Sequence, residues 1–422
     1  MVQRVVAASI NGNGIGVDLL ATDSVYVASN VLVSSTQDCA ISGSGSSHRA
    51  TIEGALFGIV GVCLGDQPLS DNNQRLYVGT HGTIFGLSVG AELCGGASIA
   101  TNHGRIWGGS VGLKIGAGIT GSSTVYNYGA IEADESAIAR ISAAETGTLI
   151  IFNYGTIRGT QNIMAASFAN AIDKVINRGT MIGDLHLSLG NDIYDGRLGT
   201  IEGVIFGEEN NDMFLPGLGI ETIDGGTGAD VLDFRTGGAV KLALDGAFEN
   251  TGTAIDDTYI NIEIVYGSLA GNDILRGNSL SNIFFGWGGN DWMAGGSGND
   301  VLIGGDGIDQ INGGLGDDSF VFTHLVQAGD LISDFSNSVG NNDRFQLTAA
   351  GFGGGLVAGA LDPLKFQSRS DNLAQDQDDR FIFRTGDATL WFDSNGNLAG
   401  GLTLLADLQA GALLTATDIV LV

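Results

Sequence analysis

Proline is nearly absent from this chain. Three prolines in 422 residues exclude a Pro-rich disordered segment. Basic residues are also scarce: 18 Lys and Arg stand against 47 Asp and Glu, a net charge of −29. That balance repels nucleic-acid phosphates and anionic lipid headgroups, so no nucleic acid is expected as a partner. No stretch reaches the roughly 18 apolar residues of a membrane span, so no membrane insertion is expected either. The opening MVQRVVAASINGNGIG has too short an apolar run to read as a signal peptide. Cysteines number only three, Cys39, Cys63 and Cys94, and none forms a CxxC pair. The odd count excludes a complete intrachain disulfide set, and the missing CxxC argues against zinc. They read as small buried hydrophobes, with an intermolecular disulfide as the other reading.

Glycine is what the chain has in excess. Its 69 glycines suit tight β turns, and many fall in a strict period. Six consecutive nine-residue units run from Ser268 to Val321: SLAGNDILR, GNSLSNIFF, GWGGNDWMA, GGSGNDVLI, GGDGIDQIN and GGLGDDSFV. The sixth position is Asp273, Asn282, Asp291, Asp300, Asp309 and Asp318, and the eighth is Leu275, Phe284, Met293, Leu302, Ile311 and Phe320. A linker would not keep an apolar residue at every eighth position. Glycines at positions one, two and four allow φ > 0 and expose carbonyl oxygens. The sixth residue adds a hard oxygen ligand of the kind Ca²⁺ takes. Positions seven to nine form a short strand whose middle side chain points inward. A less regular array precedes it: GEENNDMFL, PGLGIETID and GGTGADVLD place Asp212, Glu221 and Asp230 at the sixth position. Gly190–Tyr194 looks like a further unit, two residues out of phase.

This nonapeptide is a Ca²⁺-binding parallel β-helix repeat, and the chain resembles the RTX proteins, the hemolysin-type family secreted by type I systems. The resemblance implies calcium as cofactor, with Asp212, Glu221, Asp230, Asp273, Asn282, Asp291, Asp300, Asp309 and Asp318 as metal ligands. Two nonapeptides make one coil, so Asp273, Asp291 and Asp309 are expected along one edge and Asn282, Asp300 and Asp318 along the other. Neutral Asn282 is expected to make the weakest site. The segment 328–347 is similar to the end of serralysin-type rolls, where Asp330, Asp334 and Asp343 would add ligands. The C-terminal tail, with its aromatic strand and small apolar residues, is similar to an uncleaved type I export signal. In it Asp393-Ser394-Asn395-Gly396 reads as a hairpin turn rather than an EF-hand loop.

The N-terminal half carries a longer period. Asn102-His103-Gly104-Arg105-Ile106-Trp107-Gly108 recurs as related segments starting at Thr80, Asn127, Asn153 and Asn177, at intervals of 22, 25, 26 and 24 residues. A degenerate copy starts at His48. Short alternating runs rich in Ile, Val and Thr read as strands, and the period as stacked units. One coil per repeat would stack Asn102, Asn127, Asn153 and Asn177 as an amide ladder, with Ile106, Ile131, Ile157 and Met181 inside. His81 and His103 would stack at the surface.

No catalytic constellation emerges. Gly86-Leu87-Ser88-Val89-Gly90 and Gly108-Gly109-Ser110-Val111-Gly112 match the G-x-S-x-G nucleophile elbow, but they occupy one corner of neighbouring coils. An elbow also needs a strand-to-helix turn, which this chain does not offer. There is no HExxH. Asp134, Glu135, Arg140 and Glu145 form a cluster that a polysaccharide lyase or epimerase on the solenoid face would use, against a solvated loop as the plainer reading.

The expected fold is all-β: a parallel β-solenoid, then an RTX parallel β-roll and a C-terminal β cap. The solenoid would span 1–186, a first array 187–234, connector strands 235–267, a second array 268–322, and the cap with its export signal 323–422. The expected function is that of a secreted calcium-binding protein with a structural or adhesive role at the cell surface or in the extracellular matrix. Its partners would be calcium ions, the type I secretion machinery, and cell-surface polysaccharide or further copies of itself. The rival reading is the polysaccharide lyase or epimerase.

Overall fold

A computed structural model describes residues 3–20, 22–66, 71–119, 121–165, 170–217 and 219–422. Leu218, within the 216–224 repeat unit, lies outside the described residues. The chain divides into two compact units, Met1–Asp230 with Asp257–Asn261, and Val231–Asp256 with Ile262–Val422. Among the described residues no helix is long and apolar enough to cross a membrane.

In the first unit short strands stack in parallel ladders. One ladder starts at Gln3–Val6 and passes through Ser24–Val27, Arg49–Ile52, Arg75–Val78, Ile99–Asn102, Ser122–Asn127, Thr148–Asn153 and Asp173–Asn177. It continues through Ile193–Asp195 to Met213–Leu215. A second ladder starts at Ile10–Gly12 and includes Arg105–Gly108 and Ala130–Ala133. A third starts at Val17–Leu19 and includes Cys39–Gly43, Val111–Ile115 and Ser136–Arg140. The coils therefore begin well before His48, where the sequence motif starts to be readable. Alternation explains the faces: Val25, Val27, Ala50 and Ile52 point inward and are buried.

The amide ladder forms. Asn102 Nδ2 donates to Asn127 Oδ1 (2.8 Å), Asn127 Nδ2 to Asn153 Oδ1 (2.8 Å), and Asn153 Nδ2 to Asn177 Oδ1 (2.9 Å). Each amide also donates to a carbonyl of the next coil, such as Thr156 O (2.9 Å) for Asn127, so these buried polar groups are satisfied. Ile106, Ile131, Ile157 and Met181 stack beneath them, fully buried. Each such side chain contributes about 1.5–3 kcal/mol relative to exposure. At the outer corner His103 stacks on Tyr128 (4.6 Å) and Tyr128 on Tyr154 (5.0 Å), while on the side of the preceding coil the ring beside His103 is Tyr77 (5.6 Å) rather than the expected His81.

The cysteines correct the sequence reading. Cys39 and Cys63, on consecutive coils, are joined by a disulfide, and only Cys94 remains a buried thiol. Burial and nearby Glu92 push that thiol up to about 12, so it is inert at neutral pH.

In the second unit the nonapeptides stack 18 residues apart. Ile283 pairs with Val301 and Val301 with Ser319 on one face; Ile274 pairs with Trp292 and Trp292 with Gln310 on the other. Leu275, Phe284, Met293, Leu302, Ile311 and Phe320 fill the space between. The connector supplies Ile264–Tyr266 and Lys241–Ala243 as further rungs. Asp330–Ile332 and Arg344–Leu347 extend the two faces beyond the repeats. Thr389–Asp393 and Leu402–Leu408 pair antiparallel, so the Asp393–Gly396 segment lies in a hairpin connection, as its turn chemistry implies.

Candidate metal centre

The sixth-position side chains lie in columns, each hydrogen-bonded to the coil before it. Asp291 Oδ1 accepts the Asp273 N–H and Asp309 Oδ1 the Asp291 N–H, both at 2.8 Å. Asp300 Oδ1 accepts the Asn282 N–H (2.7 Å) and Asp318 Oδ1 the Asp300 N–H (2.8 Å). Two aspartates outside the repeats continue these columns: Asp330 accepts from Asp309 N–H (2.9 Å) and Asp343 from Asp318 N–H (3.1 Å). Asp334 instead takes the N–H groups of Gly313 and Gly314. In the first unit Asp212 accepts from Asp192 N–H (2.7 Å) and Asp230 from Asp212 N–H (2.8 Å).

One oxygen of each carboxylate is thus used. The other, Oδ2, is buried with no hydrogen-bond partner among the described residues in Asp192, Asp212, Asp291, Asp300, Asp309 and Asp318. Native structures rarely bury such groups unpaired, and an ionised carboxylate needs a counter-charge there. Without one, burial pushes Asp291 and Asp300 up to about 7 and Asp212 up to about 8. These oxygens fit a hard cation. Among the described residues no three His, Cys, Asp or Glu side chains gather as a metal cluster. Two stacked carboxylates would leave the remaining calcium ligands to backbone carbonyls, which calcium accepts.

Glycine makes room for this arrangement. A methyl group at Gly295, Gly304 or Gly313 would lie 2.1, 2.2 or 2.3 Å from the Oδ2 of its own repeat's aspartate. From Trp287 onward position two has positive φ, as at Gly305 (+100°), where a side chain would also strike the Trp287 carbonyl oxygen at 2.1 Å.

Three expected ligands behave differently. Asn282 donates through Nδ2 to Ile262 O (3.1 Å) and accepts from Asn278 N–H (3.1 Å). Asp273 is held by the Ser268 N–H (2.7 Å) and hydroxyl. Glu221 accepts from Gly217 N–H (2.9 Å) and meets Tyr194 Oη (3.4 Å), while its N–H goes to Asp257 (2.7 Å).

Sequence reasoning missed the fifth position. Asn272, Ser281, Asn290 and Asn299 accept the fifth-position N–H of the following coil, from Asn290, Asn299, Ile308 and Asp317. Positions five and six therefore zip the coils in opposite directions. The run of Asn and Ser at position five was the available signal.

Ser88 and Ser110 sit at equivalent corners, with Ser110 N–H donating to Ser88 O (2.8 Å). The expected Asp134–Glu145 cluster is not a surface feature as a whole. Asp134 and Glu135 are exposed, whereas Arg140 is buried between the buried carboxylates of Glu145 and Asp173.

Parallel coils with columns of buried, half-satisfied aspartates define a calcium-binding β-roll. The RTX calcium-binding nonapeptide repeat matches in four copies, over residues 215–233, 269–302 and 294–321. These segments of the chain are RTX calcium-binding repeats within a solenoid-like fold, and the cofactor of such repeats is Ca²⁺. No curated protein matches it.

Asp300→Ala is expected to weaken calcium binding more than Asp230→Ala, because Asp300 lies between two further rungs and serves the loops on both sides. Each lost charged ligand should cost more than the roughly 1.5–3 kcal/mol of a hydrogen bond to a charged group. Calorimetric titration giving both variants the same affinity and stoichiometry would refute the column geometry.

Proposed function

We propose that this is a secreted protein that folds on calcium outside the cell and serves a structural or adhesive role at the cell surface or in the matrix. The buried, unpartnered carboxylate oxygens carry the reading. A chain that buries them stays loose where calcium is low and closes where it is millimolar, so binding free energy becomes folding free energy. That behaviour suits passage through a type I secretion channel. The Cys39–Cys63 disulfide supports an oxidising destination. In this division of labour residues 1–186 form the working solenoid, 187–234 and 268–322 hold calcium through the sixth-position residues other than Glu221, Asp273 and Asn282, whose side chains the protein itself engages, 235–267 connect them, and 323–422 cap the roll and carry the export signal. The exposed rings of Tyr77, Tyr128 and Tyr154 give the solenoid a surface for polysaccharide or for further copies of the chain.

Electron microscopy and sedimentation of the full chain, with calcium and with chelator, test the role. Calcium-dependent assembly, or retention on cell-surface polysaccharide, is the expected result. A chain that stays monomeric and unretained in calcium, while turning over uronate polymers, would replace the structural role with an enzymatic one.

A further inference from the structure

The calcium-type column of the first unit continues a column of the solenoid that is polar at every rung from His48 except Leu149. Strand register aligns His48, Gln74, Ser98, Ser123, Leu149, Asp173, Asp192 and Asp212. The early rungs make the same backbone contact with neutral groups: Gln74 Oε1 accepts the His48 N–H and Ser123 Oγ the Ser98 N–H, each at 3.0 Å. Asp173 is the first buried acidic rung; Asp23, opposite His48 at the start of the column, is only half-buried and lies 3.7 Å from Arg4.

Asp173 has its own cation. Arg140 Nη2 donates to Asp173 Oδ1, and Nε lies 3.4 Å from Oδ2. Both Nη groups donate to Gly147 O at 3.2 Å, and Nη1 reaches Glu145 Oε2 at 3.5 Å. The three side chains are at most 1% exposed. Two carboxylates and a carbonyl around one positive group is an all-oxygen cage of the kind that suits calcium. One rung on, Asp192 accepts the Asp173 N–H (2.5 Å) through Oδ1, and its buried Oδ2 has no partner among the described residues. The second unit repeats the pattern. Its first buried sixth-position residues are Asp273, held by Ser268, and uncharged Asn282, which follows half-buried Glu263 in register, and unpartnered oxygens begin one rung later at Asp291 and Asp300.

We infer that Arg140 is a resident cation that stands in for calcium at the head of the first column, so that calcium dependence begins at Asp192 and the coils before it hold without the ion. The inference rests on the calcium reading of the columns above. A guanidinium tethered to the coil cannot leave when calcium falls, so opening of the roll stops at this rung.

Hydrogen exchange of the full chain, with calcium and with chelator, tests it. In the natural chain chelator should release Ile193–Asp195 and Met213–Leu215 and leave Thr148–Asn153 and Asp173–Asn177 protected. Arg140→Met should make these last two strands exchange at least about tenfold faster in chelator. The neutralised variant Arg140→Met/Glu145→Gln/Asp173→Asn should regain protection, because the loss stems from unpaired charge. If Arg140→Met alone does not fold in calcium, the neutralised variant in chelator decides: protection supports the inference and its loss overturns it. A single variant as protected as the natural chain, or a neutralised variant as labile as the single one, overturns it too. Release of all four strands in the natural chain also overturns it and leaves the calcium reading standing. If Ile193–Asp195 and Met213–Leu215 stay protected in chelator, the calcium reading itself fails.

Discussion

Excess chelator near neutral pH should remove most of the β signal of residues 187–347 while the earlier coils remain. Six aspartates bury an oxygen with no partner among the described residues. An uncompensated buried charge costs about 3–5 kcal/mol when its partner is removed. Even two such charges match the roughly 5–15 kcal/mol that holds a whole domain together. The apolar eighth-position stack cannot offset that, because six side chains at about 1.5–3 kcal/mol each also oppose the conformational entropy of more than fifty residues. The coils of Ile99–Asn177 rest instead on the asparagine ladder and the isoleucine stack, which need no ion. Circular dichroism should therefore show a partial loss, restored by calcium, with a melting transition that moves with calcium concentration. A spectrum and melting temperature indifferent to chelator would sink the account.

Much of this was legible in the sequence because repetition turns geometry into spacing. The nine-residue period placed Asp291 over Asp309 and Asp300 over Asp318, and the apolar eighth position placed the core. The asparagine and isoleucine columns were readable for the same reason: identical residues recur once per coil. What stayed hidden was chemistry done by unlike residues. His48, Gln74, Ser98 and Ser123 share a column with Asp173 and Asp192, yet no common letter marks it. Arg140 finds Asp173 across 33 residues of chain, and Cys39 finds Cys63 across 24. Such pairs depend on the register of coils of unequal length, which no local pattern fixes. The coils before His48 stack on short aliphatic alternation, too plain a signal to separate from background.

Acid should do for the calcium-free chain part of what calcium does. Burial, with stacked carboxylates adding to it, pushes Asp192 up to about 9, Asp212 and Asp330 to about 8, Asp291 and Asp300 to about 7, and Asp309 and Asp318 to about 6. The unfolded chain releases the same protons near pH 3.9, so the folded state binds more of them at intermediate pH. The stability this supplies is fully present below about pH 4 and is lost as pH rises through roughly 6 to 9. Each tenfold preference for the proton is worth about 1.4 kcal/mol. One decade at each of several carboxylates therefore rivals the stability of a domain. In chelator, β content should grow as pH falls from neutral toward 5. With calcium the sign reverses: the ion takes the ionised carboxylate, so binding releases protons and affinity rises over the same window. Relief of the general self-repulsion of a chain at −29 would act in the same direction as acid. The paired change Asp291→Asn/Asp300→Asn separates the two, since it removes two of the buried sites and little of the total charge. A blunted acid response and fewer protons released per calcium are expected from that variant. An unaltered acid response would mean that the columns do not carry the effect, and a β content that falls on acidification would reverse the sign on which it rests.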